Sequence, residues 1–283
     1  MFLDNDYLVN DNFVWGVKGN WSAVVPVLLA KPVYRLIGGV LTKVVDEPGR
    51  CGEQFVELSP AALRHVQSRG LPDKVIDEDS SWGRMARSLL ALGIPREAIG
   101  MFGSRRLGLS QYKDTDFVVY GQDYHDLLHR SMAFFHESAG TTPISRDHVR
   151  SQVVRHGSLY DSRVNSLEIC LHGKWSSCMV APGICSTIRF VDPTDDAALL
   201  LESLTVQGPL ECVTGVVQDA AQSSFVPRVF TLEADGTSFC VVTSAWIFHQ
   251  CVTEGQTIAV TGVRSGRFLF VRDYCHGIRH LDL

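Results

Sequence analysis

Residues 205–283 limit what this chain can fold into more than any other part, because they contain strand patterns with no helical stretch between them. Five short runs rich in Val, Thr and aromatic residues are separated by turn residues: "ECVTGVVQDA", "RVFTLEADG", "SFCVVTSAW", "QTIAVTGVRSG" and "RFLFVRD". Short strands at regular spacing are typical of small sandwiches and barrels. The pattern predicts a C-terminal β-barrel, and an OB-like fold is the natural candidate at this length.

The preceding region alternates helix and strand patterns, which predicts an α/β (α+β) domain over residues 76–195. "SSWGRMARSLLALG" and "QDYHDLLHRSMAFFHESAG" have helical spacing and end at Gly93 and Gly140, whereas "AIGMF" and "DFVVYG" are short apolar strands. In "RVNSLEICLHG", the apolar side chains of Leu167, Ile169 and Leu171 alternate with Ser166, Glu168 and Cys170. A period of two residues predicts a further strand there.

The first 75 residues resemble neither of these regions and predict a small β-rich module with one helix. "FVWGVKG", "AVVPVLLA" and "VYRLIGGVLTKVV" are β-branched and aromatic runs, while "SPAALRHVQSRG" has helix signals at both ends. Residues 191–209 are expected to form a connector with a short helix. Three domains are therefore predicted, over residues 1–75, 76–195 and 205–283.

Composition and charge exclude several classes of protein. The 283 residues are 45% hydrophobic and 20% charged, as in ordinary globular proteins, and the net charge of -5 argues against binding by non-specific phosphate contacts. No apolar run approaches the ~20 residues that cross a bilayer, and the acidic "MFLDNDYLVNDN" lacks the basic start of a signal peptide. The eight cysteines form no Cys-x-x-Cys pair, which predicts reduced thiols and a cytoplasmic location.

The stretch "MFGSRRLGLSQYKDTDFVVYG" carries the residues that point to chemistry. Asp114 and Asp116 are two positions apart, so on a strand both carboxylates lie on one face, where they repel each other unless a cation intervenes. Mg²⁺ (or Mn²⁺) binds carboxylate oxygens and then substrate phosphates. Gly103 and Ser104 follow a strand, where a glycine backbone and a hydroxyl donor suit a phosphate. The combination predicts phosphoryl or nucleotidyl transfer.

This stretch resembles the signature of the DNA polymerase β-like nucleotidyltransferase superfamily, which has an apolar residue, Gly, Gly or Ser, a spacer, and then an acid, any residue, an acid and an apolar residue. In this chain, the positions of the signature are occupied by Phe102, Gly103, Ser104, Asp114, Asp116 and Phe117. The resemblance implies that Gly103 and Ser104 hold the triphosphate of an NTP, that the two aspartates bind divalent metal, and that an NMP is transferred while pyrophosphate leaves. The wider chain resembles a set of mostly archaeal proteins with this module, whose C-terminal segment is similar to "VTGVVQDAAQSSFVPRVFTLEA".

The superfamily usually supplies a third carboxylate from a later strand, as a metal ligand or as the base for the incoming nucleophile. Glu168 is the candidate, because it alternates out of the predicted strand as the two aspartates do. Asp147 and Asp161 in predicted loops are rivals. The alternative for Glu168 is a solvent-facing position on a half-exposed strand.

Basic residues near the motif are candidates for binding the triphosphate. Arg105 follows the phosphate cradle and Lys113 precedes the first aspartate, although either residue is also compatible with a solvated surface. A possible basic ridge further on comprises Arg146, Arg150 and Arg155. Two His-containing groups with metal-like spacing are expected to be surface or tail residues instead: His125 with His129, and Cys275 with His276 and His280.

Of the parts of the predicted reaction, the nucleotide acceptor is the one that the sequence constrains least. Residues 205–283 contain five Arg and no Lys against seven Asp plus Glu, so the barrel lacks the average positive charge that favours single-stranded nucleic acid. A small-molecule acceptor is therefore expected, with no membrane partner and with oligomer formation open. The alternatives are a tRNA or oligonucleotide 3′ end, AMP transfer to a protein, and a catalytically inactive OB-type binding module.

Overall fold

The computed structural model of the chain describes two compact units. It covers six strands between residues 2 and 57, and residues 70–102, 116–156, 164–192, 199, 206–225, 227–243, 246–271 and 276–281. One unit comprises residues 1–142 and 178–193, and the other comprises residues 143–177 and 194–283. The segment 143–177, which the sequence assigns to the α/β region, therefore belongs to the unit that contains the C-terminal strands.

The N-terminal part of the first unit contains a six-stranded antiparallel sheet. Its strands are β1 (Phe2–Leu3), β2 (Tyr7–Asn10), β3 (Phe13–Val17), β4 (Val27–Ile37), β5 (Val40–Lys43) and β6 (Gln54–Glu57). They follow the order β1-β2-β3-β4-β5, and β6 also pairs with β4. β4 runs through Pro32, where its register with β3 shifts by one residue, because proline has no N–H to donate to the ladder. The predicted helix over "SPAALRHVQSRG" lies outside the described residues, apart from Gly70.

Two helices precede the second sheet of this unit. α1 is Asp73–Ile76 and α2 is Ser81–Ala91, which begins at Ser80, whose hydroxyl accepts the N–H of Gly83 at 3.2 Å. The buried face of α2 presents Met85, Ala86 and Leu89, as its helical spacing predicts. Gly93, with a φ of 88°, follows the helix as the predicted terminator. No helix among the described residues has the length and apolarity needed to span a membrane.

The second sheet of the first unit holds the predicted catalytic strands. Its members are β7 (Ile99–Phe102), β8 (Asp116–Tyr120), β9 (Thr142–Pro143), β10 (Ser177–Ala181) and β11 (Ile184–Val191), in the order β7-β8-β11-β10-β9. β8 pairs antiparallel with β7 and parallel with β11. Phe117, Val118 and Val119 are fully buried, so both faces of β8 are covered. A strand that is buried on both faces has apolar residues at consecutive positions, as the sequence "DFVVYG" does.

The long helix predicted after β8 is divided in two. α3 spans Gln122–Arg130 and α4 spans Met132–Ala139, with a break at Ser131. Gly140 ends α4 with a φ of 65°, which confirms the predicted stop. α2 and α4 pack together, and the Arg84 Nε donates to the Ala139 carbonyl oxygen at 3.4 Å.

The strand predicted over "RVNSLEICLHG" is wrong. These residues form a helix, α6 (Val164–His172), which follows α5 (Arg146–His156). Leu167, Cys170 and Leu171 are buried, and positions i, i+3 and i+4 lie on one helical face. The apolar residues at 167, 169 and 171 mimic strand alternation, but the buried Cys170 completes the helical pattern.

The C-terminal strands form a closed barrel, as predicted. The strands are β12 (Leu210–Asp219), β13 (Arg228–Ala234), β14 (Thr237–Thr243), β15 (Thr257–Ser265), β16 (Phe268–Val271) and β17 (Gly277–His280). Their order is β12-β13-β14-β16-β15, and the pairing of β12 with β15 closes the ring. β14 and β16 are parallel, whereas the other pairs are antiparallel. β17, which the sequence did not predict, pairs with residues 258–261 of β15, whereas β16 pairs with residues 263–265 of the same strand.

The barrel and the two preceding helices share one hydrophobic core. Buried residues of α5 and α6, including Val149, Val153 and Leu167, contact the same cluster as Phe230 and Val260 of the barrel. This packing is the physical reason why residues 143–177 belong to the barrel unit. The described residues thus confirm a mixed α and β fold with a closed five-stranded barrel.

Candidate active site

The structure describes two of the seven predicted site residues. Asp116 and Glu168 are described, while the others fall in residues 103–115, outside the described part: Gly103, Ser104, Arg105, Lys113 and Asp114. The segment 103–115 joins Phe102 to Asp116, and these two residues are paired across β7 and β8. Both ends of the segment that carries the motif therefore meet at one edge of the sheet.

Asp116 is the first residue of β8 and is half-buried. Its Oδ1 accepts the backbone N–H of Thr187, on the neighbouring strand β11, at 3.1 Å. Thr187 immediately precedes Ile188, which pairs with Phe117, so the donor arises directly from the parallel register. An N–H donor to a carboxylate is a charge-assisted hydrogen bond, which orients the carboxylate of Asp116 at this edge.

The thiol of Cys178 is close enough to this carboxylate to interact with it electrostatically. Burial raises the pKa of the Cys178 thiol, on β10, to about 12, and the neighbouring Cys185 and the negative charge of Asp116 act in the same direction. A hydrogen bond with Thr141 opposes the rise. Cys178 is therefore a neutral thiol at neutral pH, and it adds no negative charge beside Asp116.

Glu168 is not on a strand of this sheet, which corrects the premise on which it was selected. It lies half-buried on α6 in the barrel unit, whereas Asp116 lies in the other unit. On the strand that neighbours Asp116, the position beside it holds Thr187 rather than an acid. Among the residues that the structure describes, no group of three or more His, Cys, Asp or Glu side chains is arranged to hold a metal.

The rival acids and the basic ridge have separate locations. Asp147 is an exposed residue of α5, 3.9 Å from the guanidinium of Arg150, and Asp161 lies outside the described residues. Arg146 and Arg150 are exposed on α5, in the barrel unit, as expected for a solvated helix face. The side chain of Arg155 is outside the described part.

The two His-containing groups have different surroundings. His125 of α3 contacts Asp126 through Nδ1 at 2.8 Å, and its ring meets the ring of Phe190 edge-on at 4.8 Å. Its ring centroid is 6.3 Å from that of His129. His276 and His280 are buried in the barrel unit, and Cys275 lies outside the described residues.

Sequence reasoning missed Thr187 and Cys178, because neither belongs to a recognisable motif. Thr187 acts through its backbone N–H, and any residue except proline offers that donor. The apolar alternation of β11 is the one signal from which a strand beside Asp116 was predictable. Comparison of the chain with models of protein families, with curated proteins and with solved structures found no match.

Proposed function

We propose that this chain is a metal-dependent nucleotidyltransferase, which moves an NMP from an NTP to an acceptor hydroxyl and releases pyrophosphate. The observation that supports the proposal best is the β7–β8 pair. Its connecting segment contains Gly103, Ser104 and Asp114, and its second strand opens with an oriented carboxylate, that of Asp116. Residues that bind phosphate and a pair of acids that bind a metal are the groups that such a transfer requires.

Asp114 and Asp116 are the residues proposed to hold Mg²⁺ or Mn²⁺, because hard divalent cations prefer carboxylate oxygens. The bound metal would polarise the phosphoryl oxygens and offset the charge of the leaving pyrophosphate. The Thr187 N–H donates to Asp116 Oδ1 and so orients this carboxylate. Gly103, Ser104, Arg105 and Lys113 are proposed to bind the triphosphate.

The reaction is a substitution at the α-phosphorus. The acceptor oxygen forms a bond to this phosphorus, the bond to the bridging oxygen of pyrophosphate breaks, and the acceptor proton leaves to a base or to water. Glu168 is the predicted base or metal ligand. A Glu168→Gln variant with unchanged turnover would assign the proton transfer to another group.

The C-terminal barrel bears on the acceptor, and its strand order supports the proposal of an OB-type fold. Among its described arginines, Arg264 is paired with Glu211 at 2.9 Å and Arg279 contacts the sulfur of Cys212. The ion pair of Arg264 with Glu211 reduces the charge available to a polynucleotide, which favours a small-molecule acceptor. An RNA 3′ end, protein AMP transfer and an inactive OB-type binding module are the other outcomes of the test.

Pyrophosphate release tests the proposal. The full chain is incubated with each labelled NTP and Mg²⁺, alone and with RNA, protein or cell metabolites. We expect release to fall at least about 100-fold in Asp116→Asn, because the charge is lost while the amide oxygen can still accept the Thr187 N–H. Asp77→Asn, an exposed acid in the same unit, is the control and should keep full activity. Release that persists unchanged in the Asp114→Asn, Asp116→Asn double variant would remove the assignment.

A further inference from the structure

Within the five strands that the structure describes for the second sheet, one side chain is acidic and one is basic. The acid is Asp116, the first residue of β8, and the base is Arg189 of β11, the strand that runs parallel to β8. All other side chains of these strands are uncharged. A half-buried charge in a sheet costs free energy unless another charge offsets it, so the position of Arg189 bears on what binds beside Asp116.

The strand register places both charged side chains on one face of the sheet. Arg189 pairs with Val118, two positions after Asp116, while Thr187, two positions before Arg189, donates its N–H to Asp116 Oδ1 at 3.1 Å. Side chains two positions apart on a strand share a face, and so do those of paired residues. The Cα atoms of Asp116 and Arg189 are therefore about 8 Å apart, because a strand rises about 3.3 Å per residue and neighbouring strands lie about 4.8 Å apart.

This face is the more accessible one on β11. Burial alternates along the strand, because positions 186, 188 and 190 are fully buried, whereas Thr187 and Arg189 are half-buried, as Asp116 is on β8. Helix α3 packs on the opposite face, where the ring of His125 meets the ring of Phe190 edge-on at 4.8 Å. A ligand of the Asp116 carboxylate is therefore expected on the face that carries Arg189.

An acid and a guanidinium on one face suit the two kinds of group that a metal-bound NTP presents. The carboxylate attracts the divalent cation, while the triphosphate carries about four negative charges, of which one divalent cation offsets two. A guanidinium is planar, stays protonated and can donate two parallel N–H bonds to phosphate oxygens. The side chain of Arg189 therefore has the charge and the donors that the phosphates require.

We propose that Arg189 is a substrate-binding residue that holds the outer phosphates, β and γ, of the NTP. This inference rests on the proposed nucleotidyltransferase function, to which it adds a residue outside the motif of residues 102–117. When the bond from the α-phosphorus to the bridging oxygen breaks, its electron pair leaves with the pyrophosphate, and the guanidinium of Arg189 offsets part of the negative charge that develops there. The sequence alone did not single out Arg189, because its place beside Val118 depends on the pairing of β11 with β8.

A comparison of triphosphate and monophosphate binding tests the role of Arg189. The affinities of the full chain for a non-hydrolysable NTP analogue and for the corresponding NMP are measured by calorimetry with Mg²⁺. We expect Arg189→Gln to weaken binding of the analogue about 10- to 100-fold and to change NMP binding less than about 3-fold, because only the analogue has outer phosphates. Arg189→Lys keeps the charge and should recover part of the loss. General damage to the fold would weaken both ligands alike.

Arg130→Gln is the matched control, because it removes an exposed arginine of the same unit at the end of α3, on the opposite face of the sheet. Both affinities should stay unchanged in it. If the wild type binds the analogue and Arg189→Gln keeps the full preference for the triphosphate, the role of Arg189 is overturned while the proposed nucleotidyltransferase function stands. If the wild type neither binds the analogue nor releases pyrophosphate, the proposed function falls and the role of Arg189 falls with it.

Chemical modification of the wild-type protein decides the proposal even if the Arg189 variants do not fold. Phenylglyoxal, which reacts with accessible guanidinium groups, is added to the full chain with and without Mg²⁺ and the NTP analogue, and the modified peptides are mapped by mass spectrometry. We expect the bound analogue to prevent modification of Arg189 and to leave that of Arg130 unchanged. Equal modification of Arg189 with and without the bound analogue would contradict its contact with the phosphates.

Discussion

At the scale of single residues, Asp116 has a structural and a proposed catalytic task at the same time. Its Oδ1 accepts the N–H of Thr187, so the carboxylate helps join β8 to β11, and Asp116 itself pairs with Phe102, where the motif segment begins. The acid pair was predictable from its spacing alone. The Thr187 donor was not, because it depends on which strand lies beside β8, and that is fixed by packing rather than by a local pattern.

Two substitutions of Asp116 separate these tasks. Asp116→Ala deprives the Thr187 N–H of this acceptor, and we expect the free energy of unfolding to fall by about 1–3 kcal/mol. Asp116→Asn keeps an acceptor oxygen and should cost less than about 1 kcal/mol. Urea unfolding followed by circular dichroism measures both. Equal losses in the two variants would show that the hydrogen bond does not stabilise the sheet.

Acid sensitivity is expected from His125. Burial lowers the pKa of its imidazole, the hydrogen bond and charge of Asp126 act against this, and His129 adds to the lowering. A lowered folded-state pKa means that the unfolded chain binds the proton first. The contribution of His125 to stability is therefore complete above its ordinary pKa of 6.5 and is lost as the pH falls below that value.

Urea midpoints between pH 5 and pH 8 check this expectation. The wild-type midpoint should decline on the acid side, and His125→Gln should make that decline shallower, while its loss of the contact with Phe190 lowers the midpoint at every pH. His172→Gln, which removes an exposed histidine of α6 that does not act on His125, is the control. A pH profile in His125→Gln that runs parallel to that of the wild type would exclude the imidazole as the source.

At the scale of elements, α6 shows where sequence patterns succeed and where they fail. Strands β7, β8 and β12 to β16 were all predictable, because their apolar runs are bounded by turn residues. α6 was predicted as a strand, because Leu167, Ile169 and Leu171 alternate with polar residues. The burial of Cys170 against the barrel is what distinguishes the helical pattern from the strand pattern. The break between α3 and α4 at Ser131 was not predictable either, because no glycine or proline marks it in the sequence.

Leu167 tests whether α6 belongs to the barrel core. It is fully buried in the cluster shared with the barrel, so Leu167→Ala should lower the free energy of unfolding by about 2–5 kcal/mol. Val154→Ala, on the neighbouring α5 and 84% exposed, should change it by less than about 0.5 kcal/mol. Chemical denaturation gives both values. Similar small losses in the two variants would mean that α6 does not support the barrel.

At the scale of the whole molecule, the compact units do not follow the predicted linear domains. The strands of the second sheet come from both sides of residues 143–177, and that segment itself packs with the barrel. Linear composition predicts domains as continuous segments, so it cannot show a unit that is built from two separate stretches. The class of fold was predictable because it depends on local periodicity, whereas the division depends on long-range packing.

Two fragments test this division. Residues 205–283 contain the strands of the barrel but lack α5 and α6, so the core surface that Val149, Leu167 and Leu171 cover would face water. We expect this fragment to bind a hydrophobic dye and to give poorly dispersed NMR signals, whereas residues 143–283 should give a dispersed spectrum. A dispersed spectrum and undiminished stability in the shorter fragment would contradict the shared core.

Calorimetric titration of Mn²⁺ is the decisive test of whether Asp114 and Asp116 bind divalent ions together with an NTP. The full chain is titrated in the presence of a non-hydrolysable NTP analogue. We expect at least about one ion bound per chain beyond those that the analogue binds alone, retained in Asp77→Asn and lost in the Asp114→Asn, Asp116→Asn double variant. Equal stoichiometry and affinity in the double variant and the wild type would contradict it.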